Sequence, residues 1–206
     1  NDVTHESVIR SAIVILPGAV FNRELLIRSY QNISNLGFFQ PLPPPDVAPT
    51  ENGQDVDITF TVVEKRTGNV NFGASLGQGT GLGGSLGLEE PNLFGRGKRG
   101  RFQWQFGKNV NDFNVSYTDP AIQGSRVSGT LALFNSRQRY IVGDLGRREQ
   151  KGGSVQVGFP VFGSRYTRLF TSYSLMSISY IGGSVSLRER YSCEQCVKST
   201  VGVSLV

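Results

Sequence analysis

Arg101-Phe102-Gln103-Trp104-Gln105-Phe106 is the stretch whose reading decides the fold. Every second residue is a large aromatic, and the residues between are arginine or glutamine. A strand sends successive side chains to opposite faces, so this order makes one greasy face and one polar face, whereas a helix would scatter the three rings. The pattern recurs outward in both directions. Val70, Phe72, Ala74 and Leu76 alternate with Asn71, Gly73 and Ser75, and Phe113, Val115 and Tyr117 alternate with Asn114 and Ser116. Val127, Gly129, Leu131 and Leu133 alternate with Ser128 and Thr130, and Val155, Val157 and Phe159 with Ser154, Gln156 and Gly158. Breaks between these runs predict about eight strands, at 68–77, 81–89, 99–108, 112–118, 125–136, 153–161, 165–179 and 198–206. A soluble sandwich also alternates, but its solvated face carries more charge. Small and amide side chains on the second face suit the lumen of a transmembrane barrel.

Composition agrees. The chain of 206 residues holds 26 glycines and is only 18% charged, and no apolar run approaches the roughly 20 residues a membrane-crossing helix needs. If a membrane is crossed, closed strands must do it. The net charge of +5 is clustered, with Arg96, Lys98, Arg99 and Arg101 in one group and Arg137, Arg139, Arg147, Arg148 and Lys151 in another around Asp144 and Glu149. Both groups are expected at turns or strand ends. With no nucleic-acid motif beside them, lipid headgroups are the better expected contact.

The first 67 residues follow a different period. Val8, Ile9, Ala12, Ile13 and Leu16 predict one helix, with Thr4 as its cap and an end before Pro17-Gly18. Leu25, Leu26, Ser29, Tyr30 and Ile33 predict a second, from near Asn22 to Gly37. Phe38-Phe39, a proline-rich loop from Pro41 to Pro49 and an alternating run from Val56 to Val63 complete a helix–helix–strand–loop–strand unit.

In this unit Asn1, Thr4, Val8-Ile9-Arg10, Pro17-Gly18, Leu36-Gly37-Phe38-Phe39 and Asp57 to Glu64 resemble the POTRA repeat. The stretch from Gly68 to Gly97, closed by Asn92-Leu93-Phe94-Gly95-Arg96-Gly97, and the turn at Asp119-Pro120 resemble the opening of BamA-type barrels, of the POTRA-plus-β-barrel superfamily. The resemblance implies an α+β partial POTRA domain at 1–67, followed at 68–206 by antiparallel transmembrane strands amounting to about half of a sixteen-stranded barrel. It implies a chain cut at both ends, lacking the first POTRA strand and a terminal aromatic after Val206.

What the resemblance implies for function is an outer-membrane insertase, working without nucleotide or cofactor on nascent outer-membrane proteins, beside accessory lipoproteins and lipid and not on nucleic acid. A related secretion pore or TamA-like factor is the alternative. The first barrel strand, with Gly68, Val70, Asn71, Phe72, Gly73, Ala74, Ser75 and Leu76, would offer a weakly specified edge to incoming strands. Phe102, Trp104, Phe106, Leu131 and Leu133 would face lipid, joined by Val115, Val157 and Phe159, while Gln103, Gln105, Ser128, Thr130 and Gln156 face inward. The connections 91–97, 119–124 and 162–164 would be periplasmic, and the longer 137–152 and 180–197 extracellular.

Cys193 and Cys196 form a lone Cys-x-x-Cys. Zinc needs a second pair or histidines, and His5 is the sole histidine, so an extracellular loop disulfide is expected, with two free thiols the alternative. The glycine patterns Gly79 to Gly84 and Gly95 to Gly100 open no predicted helix and therefore read as hairpin turns rather than dinucleotide sites. No nucleophile can be matched with a base, and no enzyme or metal site is expected. Glu64 is read either as a hinge residue or as a solvated strand end.

Overall fold

A computed structural model describes residues 3–77, 81–139, 146–161, 167–183 and 195–206. It divides into two compact units, Asn1–Thr67 with Pro91–Lys98, and Gly68–Glu90 with Arg99–Val206.

The first unit carries α1 (Glu6–Ala12), α2 (Arg23–Asn35) and a short hairpin of β1 (Asp46–Pro49) and β2 (Val56–Thr59). Asn22 caps α2, its side-chain oxygen accepting from the amides of Glu24 and Leu25 at 2.8 and 3.3 Å. Gly37, with φ +75°, ends it as a left-handed residue. Thr4 does not cap α1. The cap position is His5, which makes no side-chain cap bond. The proline-rich loop also holds more order than expected, because β1 lies within it and pairs with β2. Phe39 bridges Glu64, but Asp46 pairs with Thr59 rather than with Asp57, so the proline stretch shifts the register. Phe38 and Phe39 form no strand of their own. They pack instead with Ile9, Ala12 and Ile33 in the core of this unit. Ser29, fully buried on α2, donates its hydroxyl proton to the Leu25 carbonyl and accepts from the Val14 amide, so the polar group in that core is satisfied.

The second unit is one antiparallel sheet of eight strands in sequence order: β3 (Asn69–Gly77), β4 (Gly81–Leu93), β5 (Lys98–Gly107), β6 (Val110–Asp119), β7 (Ser128–Arg139), β8 (Arg147–Pro160), β9 (Arg168–Ile181) and β10 (Gln195–Leu205). All eight expected strands are present. Several are longer than the alternation suggested, and the 137–152 segment is corrected most: β7 runs on to Arg139 and β8 starts at Arg147, with Arg137 paired to Glu149 and Arg139 to Arg147. The basic residues there lie in strands and not in a loop. Strand lengths of 9 to 14 residues exceed the five or six usual in soluble sheets and meet the roughly 9 to 11 needed to cross a bilayer.

The sheet is unclosed. Its edges are β3 and β10.

Candidate functional site

Register settles which side chains share a face. Phe102 pairs with Val115, Val115 with Leu133, Leu131 with Val155, Val157 with Thr171, and Phe159 with Leu169. Phe102, Trp104, Phe106, Val115, Leu131, Leu133, Val157 and Phe159 therefore lie on one face, as their alternation predicts. Gln103, Gln105, Ser128, Thr130 and Gln156 lie on the other. The apolar face is open: Phe72 is 80% exposed, Leu133 66% and Val201 68%. Every buried hydrophobic side chain among the described residues belongs to the first unit, so this eight-stranded sheet has no hydrophobic core. A sheet folded in water must bury one face against another layer. One that leaves a continuous apolar face open is built for an apolar surround.

The opposite face is polar and internally bonded. Arg101 grips both carboxylate oxygens of Glu89 at 3.0 Å, Thr118 and Thr130 share a hydrogen bond of 3.1 Å, and Asp112 accepts from Ser136 and Gln138. Two rings that alternation alone does not assign, Phe134 and Phe170, sit here too, each opposite a glycine. A Cβ on Gly152 would lie 2.8 Å from the Phe134 ring and one on Gly158 2.5 Å from Phe170, so these glycines leave room for aromatic rings.

Among the described residues β3 pairs with β4 alone, from Asn69↔Glu89 to Gly77↔Gly81. Val70, Asn71, Phe72, Gly73, Ala74, Ser75 and Leu76 are all exposed, and Gly68 directly precedes the strand. Gly73 faces Ser85 and Ala74 faces Gly84, so the middle of the β3–β4 pair is held by small side chains, between the apolar pairs Phe72↔Leu86 and Leu76↔Leu82. Cys196, in β10, is disulfide-bonded, while Cys193 lies outside the described residues. Gly79 also lies outside them, as do 140–145, 162–166 and most of the 180–197 connection.

Sequence reasoning missed a polar knot in the first unit. The side-chain amide of Asn92, 5% exposed, donates to the Thr4 hydroxyl at 2.9 Å while its oxygen accepts from the Gly97 amide at 2.8 Å. The His5 amide donates to the Gly95 carbonyl, and Glu64 accepts from the amides of Val3 and Thr4. Thr4 is thus an acceptor for the turn after β4 and not a helix cap. Phe94, Gly95 and Gly97 all have positive φ, and a Cβ on Gly95 would run into the Val3 carbonyl. The motif Asn-Leu-Phe-Gly-Arg-Gly was visible as a turn, but not its partners almost ninety residues earlier.

The family model described as the Omp85 superfamily domain matches residues 92–201, more than half of the chain. The chain belongs to the Omp85 superfamily. The POTRA model, described as a surface antigen variable number repeat, matches residues 1–65 of this Omp85 chain. It is 29% identical over 128 residues to the outer membrane protein assembly factor BamA of Neisseria meningitidis, covering 62% of this chain and 16% of that protein. Similarity reaches beyond bacteria: the chloroplastic outer envelope protein 80 of rice is 29% identical, covering 74% and 24% of the two chains, and the sorting and assembly machinery component 50 homolog B of Xenopus laevis is 28% identical, covering 57% and 26%. The crystal structure of BamA from Haemophilus ducreyi lacking POTRA domains 1–3 has the same fold, with a TM-score of 0.72 at 22% identity, over 99% of this chain and 41% of that one. The chain spans about a quarter or less of the length of these curated relatives. It is a BamA-type Omp85 chain, with a POTRA domain and an eight-stranded antiparallel sheet that resembles part of a BamA barrel.

Proposed function

We propose that this chain is the POTRA–barrel junction of a factor that inserts β-barrel proteins into the bacterial outer membrane, by templating their strands on the edge that β3 offers when its seam with the final barrel strand opens. It resides in the outer membrane with its POTRA portion in the periplasm, and its eight strands are part of a closed barrel of about sixteen. The observation that carries this reading is the make-up of β3, the first strand of a sheet with an open apolar face: small residues at Gly73, Ala74 and Ser75 leave its middle weakly specified.

The physics is an exchange of hydrogen bonds. A nascent strand in hydrocarbon carries unpaired amides, each costing on the order of several kcal/mol. Pairing with a free edge removes that cost, and the glycines of β3 ease release because they hold its neighbours weakly. No covalent bond is made or broken, so neither a catalytic residue nor a cofactor is required. The substrates are unfolded outer-membrane proteins, and accessory lipoproteins and surrounding lipid are the expected partners.

In the complete protein, a disulfide between β3 and the final barrel strand is expected to abolish assembly of other barrels while leaving this one folded and inserted. Normal substrate assembly with the seam fully locked would overturn the edge mechanism.

A further inference from the structure

We propose that Arg137, Arg139, Arg147 and Lys151 form a site for the phosphate of anionic lipid headgroups on the outward face of the sheet. The proposal rests on the reading that the apolar face meets lipid. Register puts the four cations together: Arg139 pairs with Arg147, Arg137 with Glu149, and Asn135 with Lys151, in successive outward rows of β7 and β8. On the same face of the same strands the next rows hold Leu133, Leu131 and Val155, so the cations rim the apolar belt. Arg148, adjacent in sequence, is turned to the opposite face by the pleat and takes no part.

The charge arrangement is unbalanced in a way that an anion would relieve. Arg139 and Arg147 stand directly opposite each other, a like-charged cross-strand pair that is unfavourable on its own. Glu149 is the carboxylate at hand. It lies 3.2 Å from Arg137 and 3.9 Å from Arg147, which leaves three net positive charges in this group among the described residues. Among the described residues neither Arg139 nor Lys151 has an acidic partner. The guanidinium groups of Arg137 and Arg147 are about half exposed, with side-chain exposures of 46% and 50%. Planar guanidinium donors match phosphate oxygens in pairs, and cations at the edge of an apolar belt sit at headgroup height.

The test uses the full-length protein in vesicles of phosphatidylcholine with a minority of phosphatidylglycerol, with the lipids retained after gentle extraction counted by mass spectrometry. The wild type is expected to hold phosphatidylglycerol in excess of its bulk share. The double variant R139Q/K151Q, which leaves the Glu149 pairs intact, should lower that excess roughly 25-fold, from a contribution of about a factor of five per cation. R139K/K151R should keep most of it. Heat-modifiable migration on gels reports the inserted barrel separately, so a chain that never inserts would overturn the membrane reading itself. An inserted double variant with undiminished excess would overturn the headgroup site. Saturable binding of inorganic phosphate in pure phosphatidylcholine vesicles, with no lipid excess in the mixed ones, would also overturn it, in favour of a free-anion site.

Discussion

Asn92 shows how much one buried amide can organise. It ties Thr4 to Gly97, and with Glu64 it satisfies the polar groups that lead into α1. Asn92→Ala leaves the Gly97 amide without its side-chain acceptor and is expected to cost about 1–3 kcal/mol, read as a lower denaturant midpoint for the first unit. Gly95→Ala should be worse, because it combines a left-handed φ of +70° with a collision at the Val3 carbonyl, whereas Arg96→Ala next to it should be nearly silent. Equal effects at 95 and 96 would mean that the turn is not seated as described.

At the scale of the element, period-two patterning is local, and for that reason the strands and their two faces could be read from the chain. Spin labels at 131 and 133 are expected to be relaxed by oxygen dissolved in lipid, and those at 130 and 132 by a water-soluble reagent; the reverse pattern would place the sheet inside out. Leu131→Arg, deeper in the apolar belt than the cation rim, should reduce insertion by up to about 2–4 kcal/mol, the cost near a bilayer midplane, and Thr130→Arg on the opposite face should cost much less. Strand ends were harder to read. Arg137, Arg139, Arg147 and Lys151 suggest a loop by composition, yet ladder hydrogen bonds between β7 and β8 carry them as strand because cross-strand pairing outweighs intrinsic preference.

For the molecule as a whole, the turn Pro91–Lys98 belongs to the same compact unit as residues 1–67, although β4 and β5 on either side of it lead into the sheet. A piece ending at Thr67 would lose the Gly95 carbonyl that holds the His5 amide and the Asn92 side chain that holds Thr4. Hydrogen exchange at His5 is therefore expected to be slow in the intact protein and fast in that piece, and equal rates would remove the turn from the unit. The bonded Cys196 gives a second check: without reductant a maleimide should leave it unlabelled on whole cells, and labelling should appear after reduction.

Alternation, composition and the helical spacing of residues 8–33 determined the element types, the order of the two regions and the lipid-compatible face, because each depends on residues within a few positions of one another. Tertiary structure alone decided the rest. That Asn92 meets Thr4, that Phe134 and Phe170 lie over glycines, and that two arginines of adjacent strands face each other are all facts of register and long-range pairing. A one-residue slip would exchange the faces of a strand, and its own alternation cannot say which residue of the next strand it will meet.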